Sequence, residues 1–271
     1  MFILEQSGED NATQPFDLRD RGLLLADGIF DTSLIVRGRM VLGESHINRL
    51  VRDAAALDIS IDAQEINTRL DMALTEDHNG ILRITVTRGP AERGIAGGQR
   101  VLPTLLFSLS PLNSEVQFTP LALQTSSIRR NASSPTSRHK TLSYTDNTLA
   151  FRAARAAGFD DALFLNTSND VCCTSIGNLF VKSGDAWLTP PISDGVLPGV
   201  MREWVMRQGK ELSLDIIERS ITQGDLENAE AAFMTNSVRL AAPISRIDTH
   251  DLAPSLPTGL KEAMQTLART I

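Results

Sequence analysis

The sequence predicts a mixed α/β protein of the α+β class, with strands and helices in two lobes. Three observations favour this class: residues 45–57 place apolar side chains at helical spacing, residues 81–87 alternate apolar and polar side chains, and residues 110–114 have a linker composition. A chain of 271 residues can hold two cores. We therefore expect an N-terminal domain over residues 1–110, a linker over residues 111–117 and a C-terminal domain over residues 118–271.

In the N-terminal half, residues 33–36 and 40–42 flank Arg-Gly-Arg and predict a hairpin. Ser45 is expected to cap the helix over residues 45–57, and the Asp62-x-x-Glu65 pattern predicts a second helix reaching about residue 74. The strand over residues 81–87 is followed by a glycine-rich loop at residues 93–98 and another strand at residues 101–109.

In the C-terminal half, the patterns predict four strand regions and three helices. The strand regions are residues 118–126, 162–165, the hairpin 179–182 with 186–188, and 231–235. The helices are residues 147–157, a helix that Pro198-Gly199 opens and that reaches about residue 207, and residues 256–267.

Composition and charge narrow the classes of function and partner. The net charge is −7 without a lysine or arginine cluster, which disfavours nucleic acid as a partner. No apolar run approaches the ~20 residues that span a bilayer, and residues 1–5 turn acidic before a signal core develops, so we expect a cytoplasmic protein without membrane contact. Cys172 and Cys173 are adjacent and form a poor disulfide pair, and the histidines lack metal-ligand spacing.

The polar stretch around Lys140 contains the only tyrosine of the chain, Tyr144, and precedes a predicted helix. A lysine amine forms a Schiff base only where its surroundings hold it partly deprotonated. By itself, Lys140 would be interpreted as an exposed surface lysine.

Seven stretches change this interpretation because they occur together and in a familiar order. They are Asp20-Arg21-Gly22 with residues 27–32 (Asp-Gly-Ile-Phe-Asp-Thr), residues 46–50 (His-Ile-Asn-Arg-Leu), residues 83–89, Lys140, residues 177–180 (Gly-Asn-Leu-Phe), residues 197–202 (Leu-Pro-Gly-Val-Met-Arg) and residues 235–237 (Thr-Asn-Ser). With them the chain resembles the class IV aminotransferases, the fold-type IV enzymes that use pyridoxal phosphate. That family includes branched-chain and D-amino-acid aminotransferases and aminodeoxychorismate lyase.

The resemblance implies a smaller N-terminal α/β lobe, a larger C-terminal pseudo-barrel lobe, a homodimer and a small-molecule amino substrate. Lys140 would form the Schiff base with the cofactor and shuttle the proton. The implied cofactor-binding residues are Arg49, Tyr144, Cys173, Val200, Met201, Asn236 and Ser237, and the implied substrate-binding residues are Phe30, Arg88 and Arg93. For Arg49 and Tyr144 a surface role and a packing role, respectively, stay open.

One position departs from the family pattern. Members usually carry a glutamate five residues before the asparagine of the Asn-Leu-Phe motif, and here that position is Cys173. The glutamate holds a proton on the pyridine nitrogen, which a thiol cannot do without a depressed pKa. An inert, buried cysteine is the alternative interpretation.

A weaker electron sink suits a lyase, which only removes the α-proton and expels enolpyruvate as an aromatic ring forms. The Thr-Asn-Ser-Val-Arg run and the Arg-Gly pairs at Arg88 and Arg93 also resemble the lyase branch, although Ile95 stands where that branch has a tyrosine. We therefore expect an aminodeoxychorismate lyase. The alternatives are an aminotransferase for D-amino acids, branched-chain amino acids or amines, and a member that has lost catalysis and binds a partner.

Overall fold

The computed structural model describes residues 2–6, 16–96 and 102–269, which form two compact units. The first unit comprises Met1–Asn113, His139–Ser143 and Leu267–Ile271, and the second comprises Ser114–Arg138 and Tyr144–Thr266. The predicted class is confirmed: one unit carries a small mixed sheet and the other a barrel-like sheet. His139–Ser143, which the expected boundaries assign to the C-terminal domain, groups with the first unit. None of the described helices combines the length and the apolar character that a membrane span requires.

The first unit is a five-stranded sheet with helices. Its elements are β1 (Phe2–Gln6), α1 (Arg21–Leu25), β2 (Gly28–Val36), β3 (Arg39–Met40), α2 (Gly43–Ala56), α3 (Ala63–Ala73), β4 (Gly80–Thr87) and β5 (Thr104–Ser110). The strand order is β1-β5-β4-β2-β3, and only the β1–β5 pair is parallel. The predicted hairpin is β2–β3, and the predicted strand at 81–87 is β4. Val101, the start of the other predicted strand, lies outside the described residues, as do positions 97 and 98 of the expected loop.

Helix α2 carries the apolar stripe that the sequence predicts. Its residues Ile47, Leu50 and Ala54 are buried in one core with apolar residues of β2, β4 and β5. The expected cap at Ser45 is wrong, because the chain turns through a left-handed Leu42 with φ 55° and the helix begins at Gly43. The cap of α3 is confirmed, since the Asp62 carboxylate accepts a hydrogen bond from the amide of Gln64 at 2.9 Å.

The second unit is built on a nine-stranded sheet. Its elements are β6 (Leu121–Thr125), α4 (Pro135–Arg138), α5 (Thr145–Ala156), β7 (Asp161–Leu165), β8 (Val171–Thr174), β9 (Asn178–Ser183), β10 (Ala186–Thr189), α6 (Val200–Gln208), β11 (Ile216–Glu218), α7 (Gln223–Glu227), β12 (Ala232–Asn236), β13 (Leu240–Ile247), β14 (His250–Asp251) and α8 (Leu260–Arg269). Strands follow the order β11-β10-β9-β12-β13-β6-β7-β8, and a further β8–β9 pairing closes six of them into a ring. The ring encloses a large apolar core.

Most predicted elements of this unit are confirmed within a few residues, including the hairpin β9–β10 and the helices α5 and α6. Four strands were missed: β8, β11, β13 and the two-residue β14. β13 was missed because it contains Pro243 and begins at Leu240, whose backbone is left-handed. β8 was missed because it has only four residues and follows a polar run.

Candidate active site

The segment around Lys140 runs along the start of β2 in the first unit. The Lys140 carbonyl accepts a hydrogen bond from the Phe30 amide at 2.9 Å, and the Leu142 amide donates to the Gly28 carbonyl at 2.9 Å. A Cβ on Gly28 would lie 2.4 Å from the Val86 carbonyl oxygen of β4 and 2.9 Å from a methyl carbon of Leu142, and the clash with the β4 backbone requires glycine there. The Lys140 ammonium Nζ lies 4.4 Å from the centre of the Phe30 ring. Phe30, an expected substrate residue, is therefore a neighbour of the lysine side chain.

A second contact holds the same segment from helix α2. The buried Asp53 carboxylate accepts hydrogen bonds from the Lys140 amide at 2.9 Å and from Nδ1 of His139 at 3.0 Å. The sequence analysis assigned no role to Asp53 or His139. The signal was available, because Asp53 follows His46 and Arg49 at seven and four residues, a spacing that puts all three on one helix face.

The same helix face pairs with Asp31 of β2. Asp31 is 2% exposed; its Oδ1 lies 2.6 Å from Nδ1 of His46, and its Oδ2 accepts hydrogen bonds from Nε of Arg49 at 2.9 Å and from Nη2 at 2.7 Å. Burial opposes ionisation of Asp31, but the neighbouring Arg49, His46 and Lys140 outweigh it and lower its pKa to about 2. The Asp31 carboxylate thus fixes the position of the Arg49 guanidinium, and His46 in turn orients the carboxylate.

Another ionic cluster organises the loop after β4. Asp27 accepts hydrogen bonds from Arg21 and from Arg88, each at 2.8 Å, while Arg88 also donates to the carbonyls of Leu57 and Asp58. Burial works against the Asp27 charge, yet the two guanidinium groups lower its pKa. Arg93 is exposed. Arg88 therefore has a structural role in this unit, and the substrate contacts expected for Arg88 and Arg93 stay predictions.

In the second unit, the start of α6 is crowded against β9. Gly199 is the N-cap of α6, and a Cβ there would lie 2.0 Å from the side-chain oxygen of Asn178. The side-chain nitrogen of Asn178 donates a hydrogen bond to the Leu197 carbonyl at 2.8 Å. The amides of Val200 and Met201 open this nine-residue helix, where N–H groups have no acceptor within the helix and favour an anion.

A buried hydroxyl lies on the same face of the sheet. Thr235 pairs with Asn178 across β12 and β9, so the two side chains stand on one face, and the Thr235 hydroxyl is buried without a hydrogen-bond partner among the described residues. In a folded protein such a group is satisfied by a bound ligand, an ion or a water molecule. Thr235 was not among the predicted site residues.

Asn236 shapes the turn that follows. Its side-chain oxygen accepts hydrogen bonds from the amides of Val238 at 3.0 Å and Arg239 at 2.7 Å, and its nitrogen donates to the Ile176 carbonyl at 3.3 Å. The Asn236 side chain is thus committed to holding the turn, and Ser237 sits in this turn half-buried. Tyr144 is the N-cap of α5 and is also half-buried.

Cys173 lies in β8, paired with Phe164 on one side and Asn178 on the other. Burial raises the pKa of its thiol, an effect that the charge of Arg130 opposes without reversing. The Arg130 guanidinium lies 5.6 Å from the centre of the Phe164 ring. Cys173 is therefore a neutral thiol, on which the Arg130 cation opposes the effect of burial and the Asp161 carboxylate reinforces it.

These residues fit pyridoxal phosphate. Among the described residues, Arg49 donates to Asp31 through Nε and Nη2. The α6 start offers amides to an anion, and the orphaned Thr235 hydroxyl lies on the sheet face that Asn178 shares. A phosphate suits each of these groups. Lys140 supplies the amine that an aldehyde needs. The two units thus each carry part of the chemistry that the resemblance implies.

Comparison with known proteins agrees with this chemistry. The sequence profile described as amino-transferase class IV matches residues 28–247. The chain is 28% identical to the aminodeoxychorismate lyase of Bacillus subtilis over 246 residues, which cover 89% of this chain and 83% of that protein. It is 25% identical to the D-alanine aminotransferase of Bacillus licheniformis over 257 residues, or 92% and 89% of the two chains.

A solved structure supports the fold independently. The PLP-bound form of a hypothetical aminotransferase from Mycobacterium tuberculosis matches this fold with a TM-score of 0.84 and 21% identity. The match covers 97% of this chain and 96% of that one.

Proposed function

Since this chain belongs to the class IV aminotransferase family and is therefore a pyridoxal-phosphate-dependent enzyme, we propose that it acts as an aminodeoxychorismate lyase. In this reaction the substrate carbon that bears the amino group loses its proton, and the neighbouring carbon–oxygen bond breaks. The leaving enolpyruvate becomes pyruvate, and 4-aminobenzoate remains. Formation of the aromatic ring drives the reaction.

The observation that supports a lyase most directly is the neutral thiol of Cys173. Pyridoxal phosphate, when bound, supplies a ring that withdraws electrons from the reacting carbon. A carboxylate at position 173 would keep a proton on the ring nitrogen and strengthen this effect, whereas a buried thiol with a raised pKa beside Arg130 does not. Transamination depends on a long-lived carbanion, and elimination does not.

We assign the roles as follows. Lys140 attaches to the cofactor aldehyde and moves the proton, with its amine above the Phe30 ring. Arg49, the amides of Val200 and Met201, and Ser237 bind the phosphate, and Asn236 supports Ser237 by holding the turn. Tyr144 contacts the phenolic oxygen, and Cys173 lies at the ring nitrogen.

The substrate carries carboxylates, for which Arg93 is the better candidate of the two predicted arginines. Its side chain is exposed, whereas Arg88 already bonds Asp27 and two backbone carbonyls. Phe30 would line the substrate side of Lys140. The cytoplasmic location and the homodimer belong to the same proposal.

An aminotransferase is the second candidate, because the match to the D-alanine aminotransferase covers as much of the chain as the match to the lyase. D-amino acids, branched-chain amino acids or amines would then be the donors. Its turnover would be ping-pong: a donor leaves its amino group on the enzyme before a keto acid takes it.

Two assays separate these candidates. Purified holoenzyme is incubated with aminodeoxychorismate, and pyruvate and 4-aminobenzoate are measured; a lyase releases them in equal amounts without a keto acid. In parallel, D-alanine, L-glutamate, L-leucine and an amine are added singly, and the visible absorbance is followed. Bleaching by a donor, reversed by a keto acid, combined with no pyruvate from aminodeoxychorismate, would refute the lyase and establish the aminotransferase.

A Cys173→Glu variant sharpens the comparison, with Cys173→Ser as the matched control. If the neutral thiol limits transamination, bleaching by amino donors should increase tenfold or more in the glutamate variant relative to the wild type. The serine variant should show no such increase. Equal behaviour of both variants would remove the support that Cys173 gives to the lyase.

A further inference from the structure

The backbone of Lys140 is fixed from two sides within the first unit. Its carbonyl accepts a hydrogen bond from Phe30 of β2, and its amide donates one to Asp53 of α2, both at 2.9 Å. A residue with both main-chain groups held has little freedom to change φ and ψ. The direction in which the lysine side chain leaves the backbone is therefore set by β2 and α2 together.

Of the two contacts, only the one from α2 depends on a side chain. Asp53 is 1% exposed, with Oδ2 on the Lys140 amide and Oδ1 on Nδ1 of His139 at 3.0 Å. Arg52 donates to the same Oδ1 at 3.1 Å and 3.2 Å. A buried carboxylate is tolerated only when its oxygens are satisfied in this way.

We propose that Asp53 is a positioning residue for Lys140: its carboxylate holds the Lys140 amide and the His139 ring, and so aims the lysine amine. The proposal rests on the proposed role of Lys140 as the residue that attaches the cofactor. Asp53 acts through the main chain of Lys140, to which its carboxylate is bonded. His139 acts through Asp53, since its ring nitrogen occupies the second oxygen and keeps the first one on Lys140.

Two substitutions distinguish positioning from charge. In Asp53→Asn, the amide oxygen can still accept from Lys140 while the amide nitrogen donates to Nδ1 of His139, because a neutral imidazole nitrogen can accept. In Asp53→Ala both bonds are lost. Positioning by hydrogen bonds therefore predicts that asparagine largely rescues what alanine removes. The exposed Asp71→Asn on α3 of the same unit is the control for the loss of one charge.

The first readout is amide hydrogen exchange of the cofactor-free protein at Lys140. We expect exchange at this amide at least tenfold faster in Asp53→Ala than in the wild type, and within threefold of the wild type in Asp53→Asn and Asp71→Asn. This measurement does not depend on which reaction the enzyme catalyses. Unchanged exchange in Asp53→Ala would overturn the proposal.

The second readout is the rate at which added pyridoxal phosphate becomes borohydride-trappable, followed with kcat and KM. In Asp53→Ala, the attachment rate and kcat should each fall tenfold or more, while KM stays within threefold of the wild-type value. In Asp53→Asn, the attachment rate and kcat should stay within threefold of the wild type. Equal loss in both variants would mean that charge, not positioning, is at work, and would overturn the proposal. If Asp53→Ala does not fold, Asp53→Glu moves the carboxylate by one methylene and should show the same slow attachment.

Failure of the proposed function is visible separately. If Lys140→Ala still traps the cofactor, the role of Lys140 fails while the exchange measurement still tests the contact. If attachment behaves as expected but aminodeoxychorismate gives no pyruvate, only the choice of reaction fails.

Discussion

Gly199 approaches Asn178 so closely that a Cβ at position 199 would lie 2.0 Å from the Asn178 side-chain oxygen. The backbone of Gly199 has φ −74°, which any residue can adopt, so space alone demands glycine there. Because Gly199 also opens α6, the contact fixes where the first helical amides of Val200 and Met201 lie.

We predict that Gly199→Ala destabilises the protein by about 2 kcal/mol, because Asn178 must leave its bond to the Leu197 carbonyl. Urea unfolding measures the change, and the affinity for inorganic phosphate should fall in parallel. Gly224→Ala is the matched control: its Cβ would have 3.7 Å to the nearest atom, in helix α7. If both variants unfold at the same urea concentration, the crowding at Gly199 has no energetic consequence.

Asp31→Asn should destabilise the protein by about 3 kcal/mol at pH 7, because Arg49 would keep its burial and lose its counter-charge. Since the pKa of Asp31 is lowered to about 2, its ionised form stabilises the fold above about pH 4, and the contribution is lost as the pH falls toward 2. The difference in unfolding free energy between wild type and variant should therefore shrink between pH 4 and pH 2. A difference that stays constant over this range would assign the effect to packing. Asp71→Asn serves as the exposed comparison.

The two thiols should resist labelling in the folded protein. Both are buried, and burial raises the pKa of Cys172 and of Cys173, so little thiolate exists at pH 8. We expect an aromatic disulfide reagent to react only at the rate of unfolding, and two thiols per chain to react in urea. The single variants Cys172→Ala and Cys173→Ala assign the rates. Fast labelling of Cys173 in the native protein would contradict its neutral, buried state.

Lys140→Ala should abolish the adduct that borohydride traps with pyridoxal phosphate, because the substitution removes the amine that we propose to attach the cofactor. The chain has four lysines, so peptide mapping of the wild-type adduct is simple. Lys210→Ala, which changes an exposed lysine, should leave trapping unchanged. An adduct that survives in Lys140→Ala would place the attachment elsewhere.

Regular periodicity made most elements predictable. The helix α5 and the hairpin β9–β10 carry long, clean patterns and uncomplicated turns, and both were found within a few residues. The start of α2 was not, because the left-handed Leu42 replaces the side-chain cap that Ser45 seemed to offer. β8 was missed because four buried residues give no periodicity to detect.

The candidate site residues also differ in how far the sequence alone reveals them. Lys140 and Arg49 stood out through motifs. Thr235 lies in the Thr-Asn-Ser motif and Asp53 shares a helix face with His46 and Arg49, but the contacts that define their roles, and that of His139, exist only in three dimensions. Asp53 meets Lys140 across 87 residues of chain, and Thr235 shows its importance only as a hydroxyl without a partner among the described residues. Pairing of distant buried polar groups leaves no local pattern in a single sequence.

The division of the chain into units has a consequence for biosynthesis. The first unit takes up Met1–Asn113 and then His139–Ser143, so the ribosome must pass residue 143 before β2 and α2 can receive the Lys140 segment. Until then the Phe30 amide lacks its acceptor and the Asp53 carboxylate lacks its donors, and both are groups that the finished fold buries or pairs. A nascent chain or a fragment that stops at Asn113 therefore lacks the Lys140 segment of this unit, and Leu267–Ile271 complete the unit later still.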